Sequence, residues 1–290
     1  MRRFYQLSML CVAAGIVSAC RVEEVVKTED IPTAGVRFIN AVPDSSGAYG
    51  LDFRFVDIVE SNAQFRVSFR NGPSTSGGVT ASTLTEYKNA RAGAARHFRV
   101  FLDDTLQNIA STVLKDSTLN LEANHLYTVI MWGAGRSTGA DRMRLSVIDE
   151  TPNNTAQQVG LRVINATSAA IDVRQYPQGS TAPAAATWAN VPALSASSWV
   201  SVSPSQVMYN VQPAGGGTNL FNDQLALIGQ AATVDIEATP GTTVAGSAVT
   251  LVVYPRSTAG ARTPQTTAFT VPAGSFMWDK RPPRTCSPLC

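Results

Sequence analysis

The heptapeptide Gly35-Val36-Arg37-Phe38-Ile39-Asn40-Ala41 returns 125 residues later as Gly160-Leu161-Arg162-Val163-Ile164-Asn165-Ala166. Self-similarity at a fixed distance constrains architecture more than any other sequence feature, because each copy must close into the same structural unit. The correspondence continues along the chain. Leu51-Asp52-Phe53-Arg54 is matched by Ile171-Asp172-Val173-Arg174. At the far ends, Thr128-Val129-Ile130-Met131-Trp132 with Arg136-Ser137-Thr138 is matched by Thr250-Leu251-Val252-Val253-Tyr254 with Arg256-Ser257-Thr258. Opening and closing motifs keep their order, so the sequence reads as two homologous domains of a size that can bury its own core without many disulfides.

Within each copy the hydrophobic period is two. Phe98-Arg99-Val100, Leu145-Ser146-Val147, Val200-Ser201-Val202 and Val234-Asp235-Ile236-Glu237 alternate apolar and polar residues, as strands with one wet face do. Asn71-Gly72-Pro73, Asp103-Asp104, Pro213-Ala214-Gly215-Gly216-Gly217 and Thr239-Pro240-Gly241 punctuate them as turns. The expected class is all-β: two tandem immunoglobulin-like antiparallel β-sandwich domains, with Thr80 to Arg96 the one stretch where a short helix competes. The expected boundaries are 35–150 and 159–278, joined by a linker at 151–158 and followed by a Pro-rich tail at 279–290.

The first 34 residues are an address. Arg2 and Arg3 precede an apolar run from Leu7 to Ala19, shorter than the ~20 residues a membrane span needs, which reads as a signal peptide over 1–19. The run closes on Val17-Ser18-Ala19-Cys20, which resembles the bacterial lipobox. The resemblance implies acylation of the Cys20 thiol and a membrane partner reached through that anchor; two or three acyl chains hold where one does so marginally. Residues 20–34 then form the lipidated cysteine and its tether. The expected place is the cell envelope, with Arg21 after the cysteine favouring the outer membrane.

The VRFINA and LRVINA openings, the early x-D-x strands, the YTVIMWG strand and the lipoprotein signal together resemble the bacterial domain-of-unknown-function family 4397, over about residues 35 to 283. The second copy departs from the pattern with Tyr254-Pro255 in place of Trp132-Gly133, and it lacks the Pro43-Asp44 turn. The resemblance implies a fold and carries over no activity or site residues.

Removing Arg2 and Arg3 with the signal leaves 21 basic residues against 21 acidic ones. A neutral chain without a clustered excess of Lys and Arg excludes a nucleic-acid footprint and a polybasic lipid-binding patch. Of four cysteines, Cys11 leaves with the signal and Cys20 takes the lipid, so Cys286 and Cys290 are a disulfide candidate in an oxidising compartment. No G-x-S-x-G elbow is present. His97 and His125 are the only two histidines, both read as surface or edge residues. Gly133 to Gly139 lacks the following helix a phosphate cradle requires. No metal or cofactor is implied.

Candidate ligand-binding residues are of two kinds. Lys88, Arg91, Arg96 and Arg99 form the densest basic cluster, a candidate for anionic glycans or lipopolysaccharide. Trp188, in an Ala-rich stretch, and Trp278, near the tail, are expected to be exposed, whereas Trp132 and Trp199 are expected in the core. The function this favours is a non-enzymatic lipoprotein displaying sandwich domains for envelope scaffolding, adhesion or binding of an envelope protein. The alternative is an envelope glycan-binding module.

Overall fold

The computed structural model describes residues 31–42, 50–58, 87–102, 108, 112–133, 143–150, 156–233, 236–255 and 272–282. The lipobox with Cys20, the Asp103-Asp104 turn, the loop after Gly133, most of the 151–158 linker, and Cys286 with Cys290 lie outside these residues. The chain divides into Met1–Ile31 and Pro32–Cys290, and every strand below belongs to the latter.

The elements are β-strands. In the first half they are β1 (Thr33–Ala41), β2 (Leu51–Phe55), β3 (Lys88–Arg91), β4 (Gly93–Leu102), β5 (Val113–Leu121), β6 (Leu126–Gly133) and β7 (Met143–Glu150). In the second half they are β8 (Val159–Asn165), β9 (Ile171–Pro177), β10 (Trp188–Val191), β11 (Ser195–Ala196), β12 (Val200–Val202), β13 (Val207–Pro213), β14 (Gln224–Leu225), β15 (Ala248–Tyr254) and β16 (Ala273–Lys280). The all-β class is as expected. Where a helix competed, the described part, Tyr87 to Arg96, holds β3 and the start of β4, separated by Ala92, and β16 runs two residues past the expected end of the second domain.

Each half is a pair of sheets. In the first, an inner sheet ordered β3-β1-β6-β7 faces an outer sheet ordered β2-β4-β5. In the second, an inner sheet ordered β11-β8-β15-β16, with β12 also on β8, faces an outer sheet ordered β10-β9-β13-β14. The two inner sheets share a feature that an antiparallel expectation misses. β1 runs parallel to β6 and β8 parallel to β15, with Arg37 opposite Thr128 and Arg162 opposite Thr250. A closing antiparallel strand, β7 or β16, completes each.

Three apolar cores stack the sheets. Phe38, Phe53, Phe98, Val100 and Val129 fill the first sandwich, with Phe53 stacked on Phe98 at a centroid distance of 4.9 Å. Leu161, Val173, Trp188, Tyr209 and Leu251 fill the second. The third core joins the halves: Ile39, Ala41, Ile130 and Trp132 from the first inner sheet meet Ile164, Ala166, Val252, Tyr254 and Met277 from the second. The central strands of both inner sheets, β1, β6, β8 and β15, are therefore covered on both faces. Every residue of β8 and of β15 is buried. A strand with two dry faces needs no alternation, which is why these segments read as near-continuous apolar runs. Even the motif asparagines turn inward, ending their strands in turns: Val42 N–H donates to Asn40 Oδ1 and Thr167 N–H to Asn165 Oδ1, each at 2.9 Å.

The third core holds two unpartnered polar atoms, Trp132 Nε1 and Tyr254 OH. Burial pushes the Tyr254 hydroxyl pKa up. Removing Trp132 and removing only the Tyr254 hydroxyl should therefore have opposite effects. Trp132→Ala leaves a cavity between the halves and is expected to cost about 3–5 kcal/mol. Tyr254→Phe sheds a desolvated, unbonded hydroxyl and is expected to gain about 1 kcal/mol. Denaturant midpoints of the two variants check both signs.

Candidate functional site

The most concentrated buried charge lies at the junction of the halves. Val36 and Phe38 face the first core, so the alternation of β1 turns Arg37 to the other side, toward the second half. Arg162 in β8 is placed in the same way. Arg37 Nε donates to Thr128 Oγ1 at 2.7 Å and Arg162 Nε to Thr250 Oγ1 at 2.9 Å. Both guanidiniums then donate to one carboxylate oxygen, Asp279 Oδ1, at 2.5 and 3.0 Å, and Thr250 Oγ1 donates to Oδ2 at 2.7 Å. An aromatic ring covers each cation: Tyr87 over Arg37 at 4.3 Å and Trp199 over Arg162 at 4.5 Å. Asp279 has no exposed surface. A charge with no path to solvent has no substrate to meet, so this constellation is a lock.

The basic cluster does not assemble. Lys88 and Arg91 lie on β3 in the first inner sheet, while Arg96 and Arg99 lie on β4 in the outer sheet. Arg96 is buried, on the same face of β4 as Phe98 and Val100, with its guanidinium 4.7 Å from the centroid of the Phe55 ring. Its Nε donates to Asp57 Oδ2 at 2.8 Å and its Nη1 to the Arg91 carbonyl. Arg99, on the opposite face, donates to Asp116 Oδ2 at 2.8 Å, and Asp116 also pairs with His97. Two carboxylates, Asp57 and Asp116, thus neutralise Arg96 and Arg99, two of the four cations expected to meet an anionic glycan. The period-two pattern Arg96-x-Phe98-x-Val100 already carried the signal that Arg96 turns inward.

The tryptophans are corrected likewise. Trp188 is not exposed in a loop: it opens β10, is 5% exposed, lies parallel to Tyr209 at 6.1 Å and donates from Nε1 to the Ser198 carbonyl at 3.0 Å. Its indole fills the second core while its one donor reaches a backbone acceptor, so burial costs no hydrogen bond. Trp278 is half-buried within β16. It lies 6.3 Å from Tyr87 with the Arg281 guanidinium over its ring at 4.6 Å, and its carbonyl accepts from Arg37 Nη1 at 3.0 Å. Trp132 is core as expected, and Trp199 is half-buried against Arg162. Cys20, Cys286 and Cys290 lie outside the described residues.

The candidate binding site is one that the sequence motifs touch only at Arg174. On the outer face of the β9–β13 pair lies an open groove of about 610 Å³. The alternation of β9 points Arg174 and Tyr176 outward, and that of β13 points Asn210 and Gln212, while Asn219 and Asp223 arrive from the segment before β14. These groups hold one another. Arg174 Nη1 donates to Gln212 Oε1 at 2.9 Å, and Gln212 Nε2 to Asn219 Oδ1 at 2.8 Å. Asp223 Oδ1 accepts from Asn210 Nδ2 at 2.7 Å and from Asn219 Nδ2 at 3.2 Å. Tyr176 donates its hydroxyl proton to Asp223 Oδ2. Burial, the Asp223 hydrogen bond and the Asp223 charge push the Tyr176 pKa up to about 12, so the phenol stays protonated at neutral pH. The arrangement offers fixed hydrogen-bonding groups. In sequence, these residues are scattered over fifty positions with no recurring spacing.

Residues 34–176 match the family described as Domain of unknown function (DUF4397). The match begins in β1 and ends in β9, taking in the first half and the opening strands of the second. No curated protein matches the chain.

Two measurements check the electrostatics. Asp279→Ala strands two buried guanidiniums without a counter-charge and is expected to destabilise the protein by about 3–5 kcal/mol in urea unfolding. Asp57 sets an acid limit. Burial works against its charge, but hydrogen bonds from Arg96 and from the His97 and Ile58 amides, with the Arg96 charge, outweigh it and hold its pKa at about 2 against 3.8. A carboxyl depressed on folding stabilises above its unfolded value and loses that contribution as pH falls through the folded one. Stability of Asp57→Asn is therefore expected to fall less than wild type between about pH 4 and pH 2.

Proposed function

We propose that this chain is a non-enzymatic lipoprotein, anchored in the cell envelope through Cys20, in which two tandem copies of one sandwich domain present a binding face for envelope scaffolding, adhesion or partner capture. The observation that carries the reading is how the residues divide. Two recurring pairs, Arg37 with Arg162 and Asn40 with Asn165, are spent on the junction and on strand ends. A third recurring position diverges, Arg54 pairing with Asp52 while its counterpart Arg174 enters the groove beside Tyr176, Asn210, Asn219 and Asp223, which have no counterpart in the repeated motifs. A repeated frame with one specialised open face suits presentation of a surface. The groove also favours the second reading, a glycan-binding module, over an anionic ligand held by the dispersed basic residues.

Mass spectrometry of membrane-extracted protein tests the anchor. An acylated Cys20 as the first residue is expected, with Cys20→Ala lost from the membrane fraction; an intact signal segment on the mature protein overturns it. In vivo crosslinking is expected to recover an envelope component with wild-type protein and less with groove variants.

A further inference from the structure

From the chemistry of the groove on β9 and β13 we infer that it is a binding site for a neutral carbohydrate chain, an inference that rests on the proposal of an envelope-facing binding surface and names its ligand class. The side chains that meet there include three amides, one carboxylate, one guanidinium and the Tyr176 phenol, with Ser180 and Thr181 also in the lining. The amides, the carboxylate and the guanidinium are planar groups whose paired donors and acceptors match the adjacent hydroxyls of a pyranose ring. Asn210 is 4% exposed and Asp223 is held by three donors, so both are locked before any ligand arrives. Groups already ordered lose little conformational entropy on binding, which matters most for a weakly hydrophobic ligand such as a sugar.

Charge selects among polar ligands. Arg174 and Asp223 cancel within the groove, and nothing there favours a polyanion. Ala182, Pro183 and Ala184 also line it, tied to β9 by Arg174 Nε and Nη2 donating to the Ala184 carbonyl at 3.3 Å. Small apolar groups and amides in one groove suit a ligand that is itself two-sided, with C–H groups on one face of the ring and hydroxyls around its edge.

The equivalent face of the first half gives the contrast. There Arg54 pairs with Asp52, and Arg99 and His97 with Asp116, whose pKa is lowered by the hydrogen bonds from His97 and Arg99. It offers ion pairs where the second half offers amides. Among the described residues the site therefore belongs to the second half, and a binding stoichiometry of one per chain is expected.

The test uses the full-length protein in detergent against soluble neutral polysaccharides (an α-glucan, a β-glucan, a mannan and a xylan), with an anionic polysaccharide alongside. Saturable binding to at least one neutral polymer, little changed by about 0.5 M salt, is expected, since no net charge drives it. Asn219→Ala and Gln212→Ala, both at solvent-accessible positions, are each expected to weaken it about tenfold. Asp116→Asn in the first half is expected to leave it unchanged. No binding to any neutral polymer, binding to the anionic one alone with loss in salt, or neutral binding indifferent to Asn219→Ala and Gln212→Ala overturns the inference. Crosslinking of a protein partner that is lost in Asn219→Ala, with no neutral polymer bound, overturns the carbohydrate assignment and leaves the proposed surface standing. Should neither be found and Cys20 prove unacylated, the proposed function itself fails.

Discussion

One carboxylate holds two cations at the centre of this protein. Asp279 sits near the end of the last strand, and Arg37 and Arg162 in the opening strands of the two halves; the three meet where no water reaches. Desolvating three charges costs several kcal/mol per ion, and the pairing, the threonine hydrogen bonds and the aromatic covers offset that cost only at one alignment of the sheets. Apolar contacts between Ile39, Ile130, Ile164 and Val252 tolerate sliding far better, being non-directional. The third core thus supplies the adhesion between the halves, and the shared carboxylate supplies the register.

That junction decides which surfaces remain for other molecules. The central strands of both inner sheets lose their second face to each other, so what the described residues show to their surroundings is chiefly the outer sheets, the flanking strands such as β7, the sheet edges and the loops. The two outer sheets diverge despite similar framing. One face is stitched by ion pairs among Asp52, Arg54, Arg99 and Asp116, whose charges are mutually satisfied. The other carries an amide-rich groove whose members are held by hydrogen bonds across two strands and a loop. The second sandwich supports such a groove because β9 and β13, its floor, are packed on the second core by Val173, Tyr209 and Val211. The outward side chains inherit the rigidity of the inward ones.

Much of the fold was legible in the sequence because it is written in local terms. The recurrence of Gly-x-Arg-x-Ile-Asn-Ala fixed attention on equivalent opening strands, and period-two stretches such as Phe98-Arg99-Val100 marked sheets with one wet face; both rest on side-chain alternation, a property of a few consecutive residues. The burial of Arg96 was legible by the same alternation, since it shares parity with Phe98 and Val100. The Ala-rich stretch before Trp188 misled for a related reason: small residues suggest a loop, while an indole's burial depends on what packs over it. The covering residue, Tyr209, lies on another strand.

What tertiary structure alone decided is everything that joins distant positions. Arg37 and Asp279 stand 242 residues apart, so no local pattern distinguishes that arginine from the outward-facing Arg99. The parallel pairing of β1 with β6 and of β8 with β15, and hence the double burial of the inner sheets, follows from which faces find partners. The groove arises the same way, from Arg174, Asn210 and Asp223 brought together by antiparallel register and a returning loop. Alternation tells each residue which side of its strand it occupies. Only packing decides whether that side meets water, a core, or the other half of the same chain.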